Sequence, residues 1–148
     1  MEKLKRKLSL LNIPVYEIEA EDALPEVIYT HLELIDEDLL VYEPKIYFGT
    51  DSINSSYSSE HLNVIVFQTL LAVEESSILF VDQNVNDSIR LADLSNYSVL
   101  VVQERNVVDC IEVALHRISG ASGYYNNNIE IISPSSIPSN SIIVIVKD

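Results

Sequence analysis

The run Ile142-Ile143-Val144-Ile145-Val146 decides the fold class of this chain. Five consecutive β-branched residues without a polar alternate suit a strand covered on both faces, or an edge that another element covers. Two further apolar runs of this kind, Ile78 to Val81 and Ser98 to Val102, lie upstream. Between the second of these and the quoted run, Asn106 is placed to cap a helix through Ser119. Its Val107, Ile111, Ala114, Leu115 and Ile118 share one face, and Gly120 is its stop. Ile129 to Ile132 is a further strand, joined to the last by a Pro- and Ser-rich loop from Ser133 to Ser141. The second half therefore reads strand, helix, strand, strand.

The first half is read by the same periods. Residues 2–12 form an amphipathic helix with Leu4, Leu8 and Leu11 on one stripe, ended by Asn12 and Pro14. Its bases crowd the amino-terminal turn, where the helix dipole disfavours them, so either a contact with acidic surface holds it or the end is frayed and solvated. Residues 15–21 alternate as a half-buried strand, with Tyr16, Ile18 and Ala20 opposite Glu17, Glu19 and Glu21. A second strand is expected from Val27 to Ile35, with a polar turn at Asp36-Glu37-Asp38. A third follows from Leu39 to Phe48, which Pro44 places at an edge or a bulge, completing an antiparallel hairpin or meander. Residues 51–59 are a polar loop, and Asp87 to Leu94 suits a short helix. Between Ser59 and Val73 the pattern fits two templates. Leu62, Ile65, Thr69, Leu70 and Val73 suit a helix, which is preferred, whereas Asn63 to Phe67 also passes as a buried strand. The expected architecture is α+β of α/β type: one domain over residues 1–148, with a mixed sheet of about six strands and two to four helices packed on it.

Composition narrows the function classes. At 148 residues with 47% apolar and 22% charged side chains, the chain has ordinary globular composition. No apolar run approaches a membrane span and the amino terminus is charged, so a soluble, cytoplasmic protein is expected. The Asn-x-Ser matches at Asn54, Asn86 and Asn96 are then ordinary loop asparagines. The single Cys110 excludes an internal disulfide or a multi-cysteine metal site, and reads as a small hydrophobe near the apolar stripe of the expected helix 106–119.

Net charge is −14, yet residues 8–148 carry five bases against twenty-two acids, a net of −17. That field repels phosphates and anionic membranes, so direct nucleic-acid or membrane binding is not expected. From Glu17 to Glu43 there are ten acids and no base. Glu17, Glu19 and Glu21 are expected in one line along a strand face. Such a row docks a basic protein, mimics a phosphate backbone, or keeps the domain in solution. Tyr29, Tyr42 and Tyr47 fall on the expected early strands and Tyr57 in the 51–59 loop, and tyrosine suits protein interfaces. The candidate interaction surface is therefore Glu17, Glu19, Glu21, Tyr29, Asp36, Glu37, Asp38, Tyr42, Tyr47 and Tyr57.

Catalytic signatures are sparse. The three glycines, Gly49, Gly120 and Gly123, form no phosphate-cradling loop, so no nucleotide or other cofactor is inferred. His31, His61 and His116 lie on separate elements without metal-ligand spacing, and no Gly-x-Ser-x-Gly elbow is present. Asp82 and Glu104 end apolar runs. If those strands were neighbours the pair would be placed to share a proton or a magnesium ion, but carboxylates ending strands are commonly solvated. No catalytic, cofactor or metal residue is assigned.

The order of elements in residues 1–48 resembles the tail-terminator and tail-completion proteins of tailed bacteriophages. The features are the short opening helix, the strand after a proline at Ile13-Pro14-Val15-Tyr16, and a Pro-led strand at Pro25-Glu26-Val27-Ile28-Tyr29 entering a hairpin. The resemblance implies a ring-forming virion component with protein partners and no small-molecule substrate. Two other classes stand beside it: an acidic inhibitor that mimics nucleic acid, and a small metal-dependent enzyme centred on Asp82 and Glu104.

Overall fold

The computed structural model describes residues 1–35, 44–48, 62–82, 97–120, 129–137 and 140–148. Their element order is α1 (Glu2–Leu10), β1 (Val15–Ile18), α2 (Leu24–Ile35), β2 (Pro44–Phe48), β3 (Leu62–Val73), β4 (Leu79–Asp82), β5 (Tyr97–Gln103), β6 (Val107–Val108), α3 (Ile111–Gly120), β7 (Ile129–Ile132) and β8 (Ser141–Val146). The fold is α+β, built on one mixed sheet. Six strands run in the order β1-β8-β5-β3-β4-β7, and β2 and β6 each pair with β3. Strands β1, β8, β5 and β3 are mutually parallel, while β4 is antiparallel to both of its neighbours.

The apolar run Ile142 to Val146 lies in β8, which is flanked by β1 and β5 and buried along its whole length. Its alternate residues feed two cores. Ile143 and Ile145 join Leu4 and Leu8 of α1 on one face. Ile142, Val144 and Val146 join Leu24, Ile28 and Leu32 of α2 on the other. Helix α3 packs on that second face further along the sheet, where Ala114 meets Leu71, Val73, Phe80 and Val108. Helices thus cover both faces of β8, which is why Ile142 to Val146 show no polar alternation.

The central strand β3 overturns the helix preferred for 61–73. Val64, Ile65, Val66 and Phe67 are all buried, as a strand paired on both edges requires and an amphipathic helix does not. A register shift between Thr69 and Leu71 explains the misleading spacing. Ile65 and Phe67 face α1 while Val64 and Val66 face α2; past the shift Ala72 is on the α1 side and Leu71 and Val73 are on the other. One inserted residue reverses the alternation and erases a clean period of two.

The strand expected from Val27 to Ile35 is instead the body of α2, so there is no early hairpin there. Leu24, Ile28, His31 and Leu32 are buried at helical spacing, while Glu26, Tyr29, Thr30, Glu33 and Leu34 are exposed. Pro25 sits in the first turn, where its missing N–H leaves no hydrogen bond unmade. The Pro-led strand behind the tail-terminator resemblance is therefore a helix. Pro44 opens β2, and that strand is parallel to β3 rather than part of a meander. The expected helix from Asn106 starts later, at Ile111. Glu104–Asn106 is a 3-10 turn and Val107-Val108 extend the sheet beside Ala72 and Val73. The short helix expected at Asp87 to Leu94 and the 51–59 loop lie outside the described residues.

Of the two readings of the opening helix, the contact with acidic side chains is the one observed. Lys5 Nζ lies 2.6 Å from Glu2 and 2.5 Å from Glu17, and Glu74 receives the amino-terminal ammonium and the Lys3 N–H. Leu4 and Leu8 are fully buried, but Leu11, expected on the same stripe, is exposed because the helix ends at Leu10 and Asn12 turns away at φ 61°.

Candidate functional site

Ile18, Val146 and Gln103 stand in register at the carboxyl ends of three adjacent parallel strands, the place where open α/β sheets collect ligand-binding groups. The side chains gathered there are mostly engaged with one another. Glu17 accepts from Lys5 and lies 3.8 Å from Lys147 Nζ, which is 3.9 Å from Glu19. Gln103 Nε2 donates to Glu21 at 2.7 Å, the Asp148 backbone N–H donates to Glu104 at 3.1 Å, and Arg105 reaches Asp148 at 3.4 Å. The hydrogen bond from Lys5 holds the Glu17 carboxyl below its ordinary pKa, and the same bond raises that of Lys5.

This arrangement corrects the acidic row. β1 ends at Ile18, Glu19 lies in a bend, and Glu21 opens a 3-10 turn, so the three carboxylates do not line one strand face. Glu17 points to the α1 side and is paired, and Glu21 is tied to β5. Tyr29 is 43% exposed, on α2 rather than a strand, and Tyr47 is on β2. Asp36, Glu37, Asp38, Tyr42 and Tyr57 lie outside the described residues.

Asp82 and Glu104 do not come together. β3 lies between their strands, and because β4 is antiparallel they leave the sheet in opposite directions from the row Val81-Thr69-Val102. Two strand spacings and about three residues of rise separate their backbones by about 14 Å, too far for a shared ion. Among the described residues no group of three or more His, Cys, Asp or Glu is placed to hold a metal ion. His116 is exposed on α3, and His61 lies outside the described residues. Cys110 immediately precedes α3, half-buried, and its thiol bonds the Glu112 carboxylate and holds it below its usual range.

A second feature flanks β1. Tyr16 Oη and His31 Nδ1 are 2.6 Å apart, with the rings edge to face at 5.4 Å and 77°. Burial lowers the pKa of His31 and raises that of Tyr16, which favours the neutral form of both rings, and the tautomer of His31 sets which of the two donates. Beside this pair Tyr16, Glu26, Val27 and Thr30 line an open pocket of about 140 Å³. Its residues were not singled out from sequence, because Val27 and Thr30, three residues apart, share a face only once 24–35 is helical. The contact between Tyr16 and His31 joins separate elements and left no local signal.

No family model matches the chain, and no curated protein matches it. Its fold has a solved counterpart. The chain is similar to a DUF162 family protein from Deinococcus radiodurans, with a TM-score of 0.65 over 99% of this chain and 95% of that one, at 12% identity. At that identity the likeness shows the fold alone. It confirms a mixed sheet with helices packed on it and leaves function to the surface. No helix among the described residues is long and apolar enough to cross a membrane.

Proposed function

We propose that the chain is a non-catalytic assembly protein that acts through protein–protein contacts, and that copies of it associate along the β7 margin. The observation that carries this reading is Ile131, 56% exposed on a strand that pairs, among the described residues, with β4 alone. Ile131 stands opposite Phe80, on the sheet face that carries α3, and α3 exposes Val113 and Leu115. An edge strand with apolar side chains offers both backbone hydrogen bonds and buried area to another chain. A narrower form of the reading, a ring-forming virion component, retains the opening helix and the strand after Pro14 in its support.

Light scattering after size exclusion, at low and high salt, tests the reading. The expected result is a closed oligomer that persists in salt and that Ile131→Lys converts to monomer, since a lysine on an edge strand blocks strand addition. A monomer at both salts, or an oligomer indifferent to Ile131→Lys, overturns it.

A further inference from the structure

We propose that the outer edge of β1, with the adjoining Glu26 pocket, binds an extended segment of a protein partner that carries an arginine or lysine. This site is separate from the β7 margin and shares with the assembly reading only the premise that the ligand is a protein.

Two observations meet here. The first is backbone polarity. The Ile143 N–H donates to the Pro14 carbonyl at 3.0 Å and the Lys147 N–H to the Ile18 carbonyl at 2.8 Å, so Pro14 and Ile18 face β8. Backbone groups of successive strand residues point to opposite sides, which turns the N–H and C=O groups of Val15 and Glu17 outward. Among the described residues no strand pairs with that edge. A peptide added there extends the sheet by main-chain hydrogen bonds and offers alternate side chains to each face.

The second is the pocket on one of those faces. Tyr16 faces the α2 side, where Glu26, Val27 and Thr30 complete the lining. Its volume is well below the several hundred Å³ usual for small-molecule sites and suits a single long side chain. Glu26 has no ion pair among the described residues, in contrast to Glu17 on the opposite face, which Lys5 and Lys147 occupy. A guanidinium or ammonium entering past Tyr16 meets an available carboxylate and the Thr30 hydroxyl, within a protein of net charge −14. Charge therefore selects a basic side chain on the α2 face.

The test uses a fluorescent peptide of alternating valine and threonine with a central arginine, compared with its citrulline counterpart and with a backbone N-methylated version. Anisotropy is expected to show binding of the arginine peptide and about tenfold or greater weakening with citrulline, the loss of a charged hydrogen bond. N-methylation should abolish binding, and Glu26→Gln should weaken the arginine peptide to the citrulline level. Amide shifts should be largest at Val15 and Glu17. Absence of binding, equal affinity for citrulline, indifference to N-methylation, or a β1-to-β1 dimer that excludes the peptide overturns the proposal. Glu26→Gln should leave the oligomer mass unchanged and Ile131→Lys should leave peptide binding intact, so failure here and failure of the assembly reading give different patterns.

Discussion

Replacing Leu8 by alanine tests whether α1 is part of the core or an appendage. Leu8 is fully buried with Leu4 in the cluster that holds Ile143 and Ile145, so truncation loses the transfer free energy of its methyl groups and leaves a cavity. Leucine-to-alanine changes in such sites cost about 3 kcal/mol or more. For a chain of this length each kcal/mol lowers Tm by about 2–4 °C, so the expected fall is about 6–12 °C. Leu11→Ala is the control. Leu11 belongs to the same stripe by sequence period but is 52% exposed, and its truncation should change stability by no more than about 0.5 kcal/mol. The assay is calorimetric melting of both variants under one buffer condition. Equal shifts, or a Leu8→Ala shift as small as that of Leu11→Ala, would refute the docking of α1 on the sheet.

Two further outcomes follow from buried polar groups. Because burial holds the His31 pKa below its ordinary value of about 6.5, the unfolded chain takes up the proton first as pH falls. The contribution is complete above about pH 6.5 and is lost as pH drops through the folded value; His31→Leu should flatten urea-measured stability across that window, and an unchanged slope would reject the assignment. Ser77 holds a left-handed φ of 60° between β3 and β4, and its buried hydroxyl has no hydrogen-bond partner among the described residues. Ser77→Gly should therefore stabilise the protein, by about 1 kcal/mol, and a lower Tm would show that the hydroxyl is satisfied after all.

Much of the sheet was legible without coordinates. β4, β5, β7 and β8 are short apolar runs bounded by polar residues, and hydrophobic period is a local property that survives whatever the rest of the chain does. The amphipathic opening helix was legible for the same reason, since Leu4 and Leu8 lie two turns apart at most, but whether its bases meet acidic partners or fray into solvent depended on Glu17 and Glu74 arriving from elsewhere in the chain. Segments 24–35 and 62–73 were not, because each satisfies two periods and tertiary contacts chose between them. α2 exists as a helix because β1, β5 and β8 present an apolar face to Leu24, Ile28 and Leu32. β3 exists as a strand because β2, β4, β5 and β6 saturate both its edges. The candidate sites are tertiary throughout. Strand order put β3 between Asp82 and Glu104, and the packing of α1 spent Glu17 on Lys5. The packing of α2 brought Glu26 and His31 to Tyr16. A sequence records which side chains can be buried or charged; strand order and helix docking decide which of them meet.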